Sequence, residues 1–435
     1  MDACEPFRNK KITMLGLGVL GRGVGDAAFL AGCGADIIIS DKKSAEELAP
    51  SVEQLKAFTN ITYRFQDQPT EDFENRDLVI KAAGVPTDSP QIAAARTAGV
   101  PVVMSTALFA RYAMAAGATL IGVTGTRGKS TVTQMIYDAL AHTSKRVHLG
   151  GNVRGISTLA LLPHIQEGDI VVLELDSWQL QGFGDLSISP QVAVFTNLMP
   201  DHMNYYGGDM ESYFEDKSNI FRNQKTGDRL LVSATIEQRI RQTNPPVTPV
   251  VPEPLPAHWK LVVPGEHNRE NAALAYAAVA PYMSAEEAMV ALTSFAGVEG
   301  RLQFVRDRGG VKIYNDNNAT TPEATVAALK ALDTGKRSII LIAGGSDKAL
   351  DMSALSEEIE RTCKKLVLID GTGTNRIQSL DAVGPFPTLE AAFKEALDGA
   401  EAGDIILFSP AFASFGMFKN EYERNDRFLK LVEAL

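Results

Sequence analysis

Residues 118–141 run from an apolar stretch of strand length (118–123), through a turn rich in glycine, into a stretch of helix length (130–141). A buried strand that feeds a helix through a tight glycine turn is the opening of a parallel α/β unit, because the helix must pack back over the sheet. The turn itself reads Thr124-Gly-Thr-Arg-Gly-Lys-Ser-Thr131. Backbone N–H groups and a helix N-terminus concentrate positive potential there, and a lysine adds a full charge, so the arrangement cradles phosphates. Thr126, Arg127, Gly128, Lys129, Ser130 and Thr131 are therefore candidate contacts for ATP, with the Ser130 hydroxyl facing a magnesium ion. The spacing departs from the common phosphate loop: Val123 stands where its first glycine belongs, and Gly125 is the nearest glycine in the turn. An ordinary strand-to-helix turn is the alternative.

The rest of the chain repeats the alternation. Strand-like runs fall at 11–18, 35–41, 77–80 and 100–104, then 118–123, 169–174 and 191–195, and finally 338–342, 365–369 and 404–408. Helices are expected over 270–283 and 285–296, the second opened by a Ser284/Glu287 capping box, and another from Thr321-Pro322. At 435 residues the chain is long enough for several cores. The expected fold is α/β in three consecutive domains. A Rossmann-like domain spans 1–112, a central phosphate-loop ATPase domain with a parallel sheet spans 113–299, and a second Rossmann-like domain spans 300–435.

A net charge of −11 and the lack of a basic stripe argue against a nucleic-acid partner. No apolar run approaches membrane-spanning length and no signal segment opens the chain, so a cytoplasmic protein without membrane insertion is expected. Cys4, Cys33 and Cys363 are scattered, without metal spacing, which suits a reducing compartment.

A second glycine motif, Gly16-Leu-Gly-Val-Leu-Gly21, follows the first strand, and Asp41 ends the next one. This is also the fingerprint of a dinucleotide site, so an NAD-dependent or regulatory nucleotide-binding protein stays open at this point. A uridine diphosphate would satisfy the same helix terminus, with Lys42 and Lys43 following Asp41 as further phosphate contacts or as solvated surface.

A series of segments in fixed order then resembles the Mur ligase family of cell-wall synthesis. Besides the two glycine turns, it comprises Gly150-Gly-Asn152, Glu174-Leu-Asp-Ser-Trp-Gln-Leu180, Asn197-Leu-Met-Pro-Asp-His-Met203 and Tyr213-Phe-Glu-Asp-Lys-Ser-Asn-Ile-Phe221. Gly265-Glu-His-Asn-Arg-Glu-Asn271, Asn315-Asp-Asn-Asn-Ala-Thr320, Gly344-Gly-Ser-Asp-Lys348 and Ser409-Pro-Ala-Phe-Ala-Ser-Phe415 complete it. The resemblance implies a monomeric ligase that uses ATP to add D-glutamate to UDP-N-acetylmuramoyl-L-alanine through an acyl phosphate, with another amino acid such as L-glutamate as the near alternative. It assigns the UDP end to Gly18, Val19, Leu20, Asp41, Lys42, Gly84, Asn152 and Gln179. It adds Asn268, Asn271, Arg301 and Asp316 to the ATP site, and gives the amino acid to Thr320, Lys348, Ser414 and Phe415. Two magnesium ions would be held by Ser130, Glu174, His202 and a carbamylated Lys217, with Lys129, Glu174, His202 and Lys217 as the catalytic set. Read without the resemblance, Lys217 is a solvated partner of nearby acids, His202 a surface histidine, and Asn268 and Asn271 helix caps.

Three positions depart from the usual pattern. Asn318 stands where a lysine is common, Asp176 replaces a small hydroxyl residue near Glu174, and Glu421 stands where an aromatic is common, with Tyr422 following.

Overall fold

The computed structural model describes residues 2–19, 21–377 and 382–435, which build three sheets. The first contains β1 (Lys11–Leu15), β2 (Asp36–Asp41), β3 (Ile61–Phe65), β4 (Leu78–Lys81) and β5 (Val102–Val103), ordered β3-β2-β1-β4-β5 and parallel throughout. The second contains β6 (Thr119–Thr124), β7 (Val147–Gly151), β8 (Ile170–Glu174), β9 (Val192–Phe195), β10 (Arg229–Val232) and β11 (Pro249–Val250), ordered β11-β10-β9-β6-β8-β7 and again parallel. The third contains β12 (Gln303–Arg308), β13 (Val311–Asn315), β14 (Ile339–Ala343), β15 (Cys363–Ile369), β16 (Val383–Phe386) and β17 (Ile405–Phe408), ordered β12-β13-β17-β14-β15-β16. Only β12 is antiparallel among these described pairings.

In each of the first two sheets the strand before a glycine turn lies inside the sheet, and the chain order reverses across it. Such a reversal opens a crevice beyond the strand's carboxyl end, where α/β proteins place ligands. The central strands read as near-continuous Val, Ile and Leu because both faces are covered: all five residues of β8 and of β14 are buried. Each such side chain contributes about 1.5–3 kcal/mol on burial.

By contacts the chain forms two compact units, 1–254 with 271–291 and 255–270 with 292–435. Within the first unit the two parallel sheets share one core, in which Phe109, Ala110 and Ala113 of the helix Ser105–Ala115 join Leu30 and Phe7 to Leu120 of β6. Polar ties reinforce it. Arg22 Nη1 donates to Asn152 Oδ1 at 2.7 Å, and Ser157 Oγ donates to Asp26 Oδ1 at 2.6 Å. Gly25 has no space for a side chain, since a Cβ there would lie 2.4 Å from that of Ser157.

The expected strands all appear, shifted by a few residues at their ends. Two of the expected helices begin or end differently: Glu266–Val279 starts earlier than 270, and Ala285–Thr293 is shorter than 285–296, although its Ser284/Glu287 capping box forms as read; the helix expected from Thr321-Pro322 starts there, as Pro322–Leu332. The view of three scattered thiols is corrected. Cys4 and Cys33 form a disulfide across 29 residues, because the N-terminal turns run beside the end of the helix Arg22–Gly32. Cys363 is free and buried. No described helix is long and apolar enough to cross a membrane.

Candidate active site

The turn after β6 is shaped by two glycines that no other residue could replace without strain. Gly125 has φ +139, and a Cβ on it would lie 2.0 Å from Thr196 Oγ1; Gly128 has φ +82, and a Cβ there would lie 2.6 Å from Asn271 Oδ1. Gly128 also caps the helix Lys129–Ala141. The segment Asn197-Leu-Met199 grips the turn from β9's end. Thr126 N and Arg127 N donate to the Asn197 main-chain and side-chain oxygens at 2.9 and 2.8 Å. Thr126 Oγ1 donates to Met199 O at 3.1 Å and accepts from Met199 N at 2.9 Å.

Two ammonium groups converge on this turn. Lys129 Nζ donates to Gly125 O and Thr126 O, both at 3.0 Å. Lys217 Nζ, on the helix Met210–Ser218, donates to the same Gly125 carbonyl at 2.9 Å and sits 4.8 Å from the centre of the Tyr213 ring. Lys217 is 1% exposed. Burial, and then the charge of Lys129, hold its pKa well below that of an ordinary lysine. The alternative reading of Lys217 as a solvated partner of nearby acids is thus replaced by a buried, easily neutralised amine beside the phosphate turn. Ser130 and Thr131 lie half-buried in the helix's first turn, and Arg127 is exposed.

Beside the turn, Glu174 ends β8 and is 6% exposed. Gly151 and Asn152 pass directly over it: a Cβ on Gly151 would lie 2.0 Å from Glu174 O, and Asn152 N donates to that oxygen at 2.7 Å. Asp176 caps the helix Ser177–Asp185: its carboxylate accepts from Gln179 N at 2.7 Å, while Gln179 Oε1 accepts from Asp176 N at 3.2 Å. The extra charge at 176 is therefore a helix cap. Gln179, expected to touch substrate, is 3% exposed and gives its amide to Thr106 Oγ1 at 3.1 Å, so its side chain is committed to the fold. His202 is exposed, with φ +55, and its ring centre lies 4.6 Å from that of Trp178.

Among the described residues, no group of three or more His, Cys, Asp or Glu side chains is arranged as a metal site. The oxygen donors of Ser130 and Glu174 suit magnesium, which prefers hard ligands and retains waters. The nitrogen of His202 suits it less, and Lys217 fits only after conversion to an oxygen-bearing group.

The turn after β1 is built differently. Asp41 Oδ2 accepts from Leu17 N at 2.8 Å and Gly18 N at 3.1 Å, and its other oxygen accepts from Lys43 N at 2.9 Å. A carboxylate so occupied holds the turn rather than reaching toward a ribose. Gly18 lies within this turn, Val19, Lys42 and Gly84 are exposed, and Leu20 lies outside the described residues. Lys81, which no motif flagged, is 2% exposed and donates to Val85 O at 3.2 Å, bracing the loop that carries Gly84.

In the third sheet, Asp316 follows β13. It accepts from Leu302 N at 2.9 Å and Ser409 Oγ at 2.7 Å, and burial pushes its pKa up to about 7. Arg301 is exposed. Lys348 Nζ donates to Thr320 Oγ1 at 3.1 Å. The glycine loop before Lys348 is tied to the segment of Ser414 and the 64% exposed Phe415 by the Ser346–Ala413 bridge. Arg424 is 0% exposed and donates to Asn317 Oδ1 and O, both at 2.8 Å. Asn268 donates to Pro264 O at 2.7 Å, one turn back, whereas Asn271 meets Gly128 as described. The residues that motif reading missed, Asn197, Arg22, Lys81 and Arg424, act through partners brought close by the fold; only Asn197 opens a quoted segment.

Comparison with known proteins agrees with this geometry. Residues 123–251 match the Mur ligase middle domain, and residues 300–412 match the Mur ligase glutamate ligase domain. The chain is 35% identical to the UDP-N-acetylmuramoylalanine–D-glutamate ligase of Roseiflexus sp. (strain RS-1), over 98% of each chain. It is 33% identical to the protein of the same name in Acetivibrio thermocellus, over 100% of this chain and 98% of the other. In fold it is similar to the UDP-N-acetylmuramate-alanine ligase MurC of Thermotoga maritima, with TM-score 0.62 and 20% identity over 98% and 99% of the two chains. A Thermotoga maritima MurF ligase solved in complex with ADP gives TM-score 0.61 at 14% identity, over 100% and 98%. With the phosphate turn, the sheet orders and near-full-length relatives in accord, the chain belongs to the Mur ligase family.

Proposed function

We propose that this protein is the ATP-dependent ligase that joins D-glutamate to UDP-N-acetylmuramoyl-L-alanine, acting in the cytoplasm on peptidoglycan precursors. The observation that carries the reading is the meeting of Lys129 and Lys217 on the Gly125 carbonyl at a helix N-terminus. A lysine ammonium and a second, buried lysine amine held on one neutral oxygen suit a polyanion, and relatives of the same printed name span nearly the whole chain. The ADP in the MurF ligase structure adds support for ATP as the nucleotide.

A carboxylate is a poor acyl donor, because its leaving group would be oxide. In the proposed reaction the precursor's carboxylate oxygen attacks the γ-phosphorus and ADP departs, giving an acyl phosphate. The amine of glutamate then attacks the acyl carbon, loses a proton and expels inorganic phosphate. Lys129 balances charge on the transferring phosphoryl group, and the helix dipole of 129–141 adds to it. Magnesium, held by Ser130 and Glu174, would supply further positive charge on the phosphates. Lys217, whose charged form is disfavoured by burial and then by the charge of Lys129, is suited to add carbon dioxide: a nitrogen–carbon bond forms, a proton leaves, and a carbamate anion replaces the amine. That would give magnesium the oxygen donors the ammonium lacks.

The three sheets are read as serving the UDP precursor, ATP and the amino acid in chain order, over 1–112, 113–299 and 300–435. Lys348 and Thr320, already hydrogen-bonded, are placed to hold a glutamate carboxylate, with Ser414 and Phe415 beside them. A sister activity taking another amino acid is favoured by one feature, the neutral Asn318 at a position where a cation is common. Phosphate release should be measured with UDP-N-acetylmuramoyl-L-alanine and a panel of D- and L-amino acids. Release dependent on D-glutamate supports the first reading, release with another amino acid selects the second, and no ATP-dependent release under any condition ends both.

A further inference from the structure

Glu174, His202 and Lys217 stand on three different segments of the first compact unit, and one carboxylate oxygen ties those segments together. Asp216 precedes Lys217 on the helix Met210–Ser218. Consecutive residues on a helix diverge by about 100°, so the two side chains serve different directions. Lys217 Nζ turns to Gly125 O. Asp216 turns instead to the helix Ser177–Asp185, which begins just beyond Glu174, and to the turn that follows His202.

Asp216 Oδ2 accepts from Gln181 Nε2 at 2.8 Å and from Tyr206 OH at 2.9 Å. Gln181 Nε2 also donates to Tyr205 OH at 3.3 Å. That orientation leaves Gln181 Oε1 buried without a protein partner among the described residues, so the amide is turned for the sake of its donors. Tyr205 and Tyr206 are fixed in turn by His202, whose carbonyl accepts from their amides at 2.9 and 3.2 Å. Trp178, in the first turn of the Gln181 helix, closes the group with its ring centre 4.6 Å from that of His202 and 5.4 Å from that of Tyr205. One turn before Lys217, Tyr213 places its ring centre 4.8 Å from Nζ and shares a 3.3 Å hydrogen bond with Thr126 Oγ1. A lysine stem is flexible, so its amine meets one carbonyl reproducibly only when the helix that carries it is held.

We infer that Asp216 is a positioning residue for Lys217: by accepting hydrogen bonds from the segments beyond Glu174 and His202, it fixes the helix that delivers the Lys217 amine to the Gly125 carbonyl. This role rests on the part proposed for Lys217 in turnover, and every contact it uses lies within one compact unit.

In the full-length protein, Asp216→Ala should lower kcat about tenfold, while the KM values for ATP and the UDP precursor stay within about twofold. Asp216→Asn keeps an oxygen able to accept both bonds and should stay within about threefold of the unaltered kcat. In a Lys217→Ala background, Asp216→Ala should cost less than about twofold, because the group it acts through is already gone. Should Asp216→Ala fail to fold, Tyr206→Phe removes one donor at nearly constant volume and should lower kcat about threefold, again only while Lys217 is present.

An unchanged kcat in Asp216→Ala, or in Tyr206→Phe where that variant stands in, overturns the role. So does an Asn variant as impaired as the Ala variant, or a full loss repeated without Lys217, since these mark lost charge or general damage instead of lost placement. A crystal structure of Asp216→Ala judges placement apart from turnover: Lys217 Nζ should leave hydrogen-bond reach of Gly125 O, and a retained contact overturns the role. If the unaltered protein shows no ATP-dependent phosphate release, the functional reading fails; if release is normal and Asp216 is neutral, only the positioning role fails.

Discussion

Two glycine turns, each between a parallel strand and a helix, are solved in opposite ways. The turn after β1 is secured from within by Asp41, which takes up the amides of Leu17 and Gly18. Around its Gly18 and Gly21 no described atom beyond the chain neighbours lies within 4 Å of where a Cβ would stand, although a Cβ on Gly16 would lie 2.8 Å from that of Ala82. The turn after β6 has no internal carboxylate among its residues. It is clamped by Asn197 and Met199 from a neighbouring strand end, is crowded at Gly125 and Gly128, and carries two lysines on one carbonyl. A shared sequence style therefore conceals two electrostatic designs. The first has a carboxylate at its centre; the second has the lysine amines of Lys129 and Lys217 there.

The largest expected effect tests that difference directly. Lys129→Ala should lower kcat about a thousandfold or more, since no other described cation shares its two carbonyls except Lys217 at Gly125. Turnover within tenfold of the unaltered enzyme would show that the positive centre is not the source of catalysis. Lys217→Ala should cost about a hundredfold or more, with partial recovery on adding short-chain carboxylic acids, which can lend oxygen donors. Lack of recovery in steady-state assays would count against the carbamate alone.

Crowding gives the third test. Gly125→Ala should lower unfolding free energy by about 3 kcal/mol, because it combines backbone strain with overlap at Thr196, whereas Gly21→Ala meets only the left-handed backbone and should cost about 1 kcal/mol. Equal losses on chemical denaturation of the two variants side by side would remove the contrast. Asp41→Ala should cost about 1–3 kcal/mol by orphaning the Leu17 and Gly18 amides, and should weaken the UDP precursor only through that loss of order.

A further test concerns the third sheet. Asp316 has a folded pKa of about 7, above its ordinary value of 3.8, so the folded state binds more protons between those values. Its favourable contribution is complete below the lower value and is lost as pH rises through the upper one. Asp316→Asn does not titrate, so its melting temperature relative to the unaltered protein should rise by a few degrees between pH 4 and pH 8. A constant gap across that range would remove buried ionisation as the cause.

The alternating architecture was legible because buried parallel strands read as apolar runs, as at 170–174 and 339–343. Strands lacking that pattern escaped. β3 alternates at a sheet edge, and β7 ends in Gly150-Gly151 with His148 within it. The β12–β13 hairpin carried a signal that went unused, the Gly309-Gly310 pair, both left-handed and joining two antiparallel strands. In the site, the phosphate turn, Glu174 and the Lys348–Thr320 pair followed from motifs. What local reading could not reach was the depth of Lys217 or the internal duty of Asp41 and Gln179, since each depends on a partner brought in by the fold.

The seam between the first two sheets has a practical meaning. With Asp26 and Ser157 hydrogen-bonded across it and Gly25 pressed against the same serine, the segment before β6 has no finished surface on that side. Expressed by itself, it would expose a buried carboxyl and bare apolar side chains from a core meant to be shared. Workable fragments of this enzyme should therefore keep both parallel sheets together, so that the smallest autonomous piece is larger than any one of its sheets would suggest.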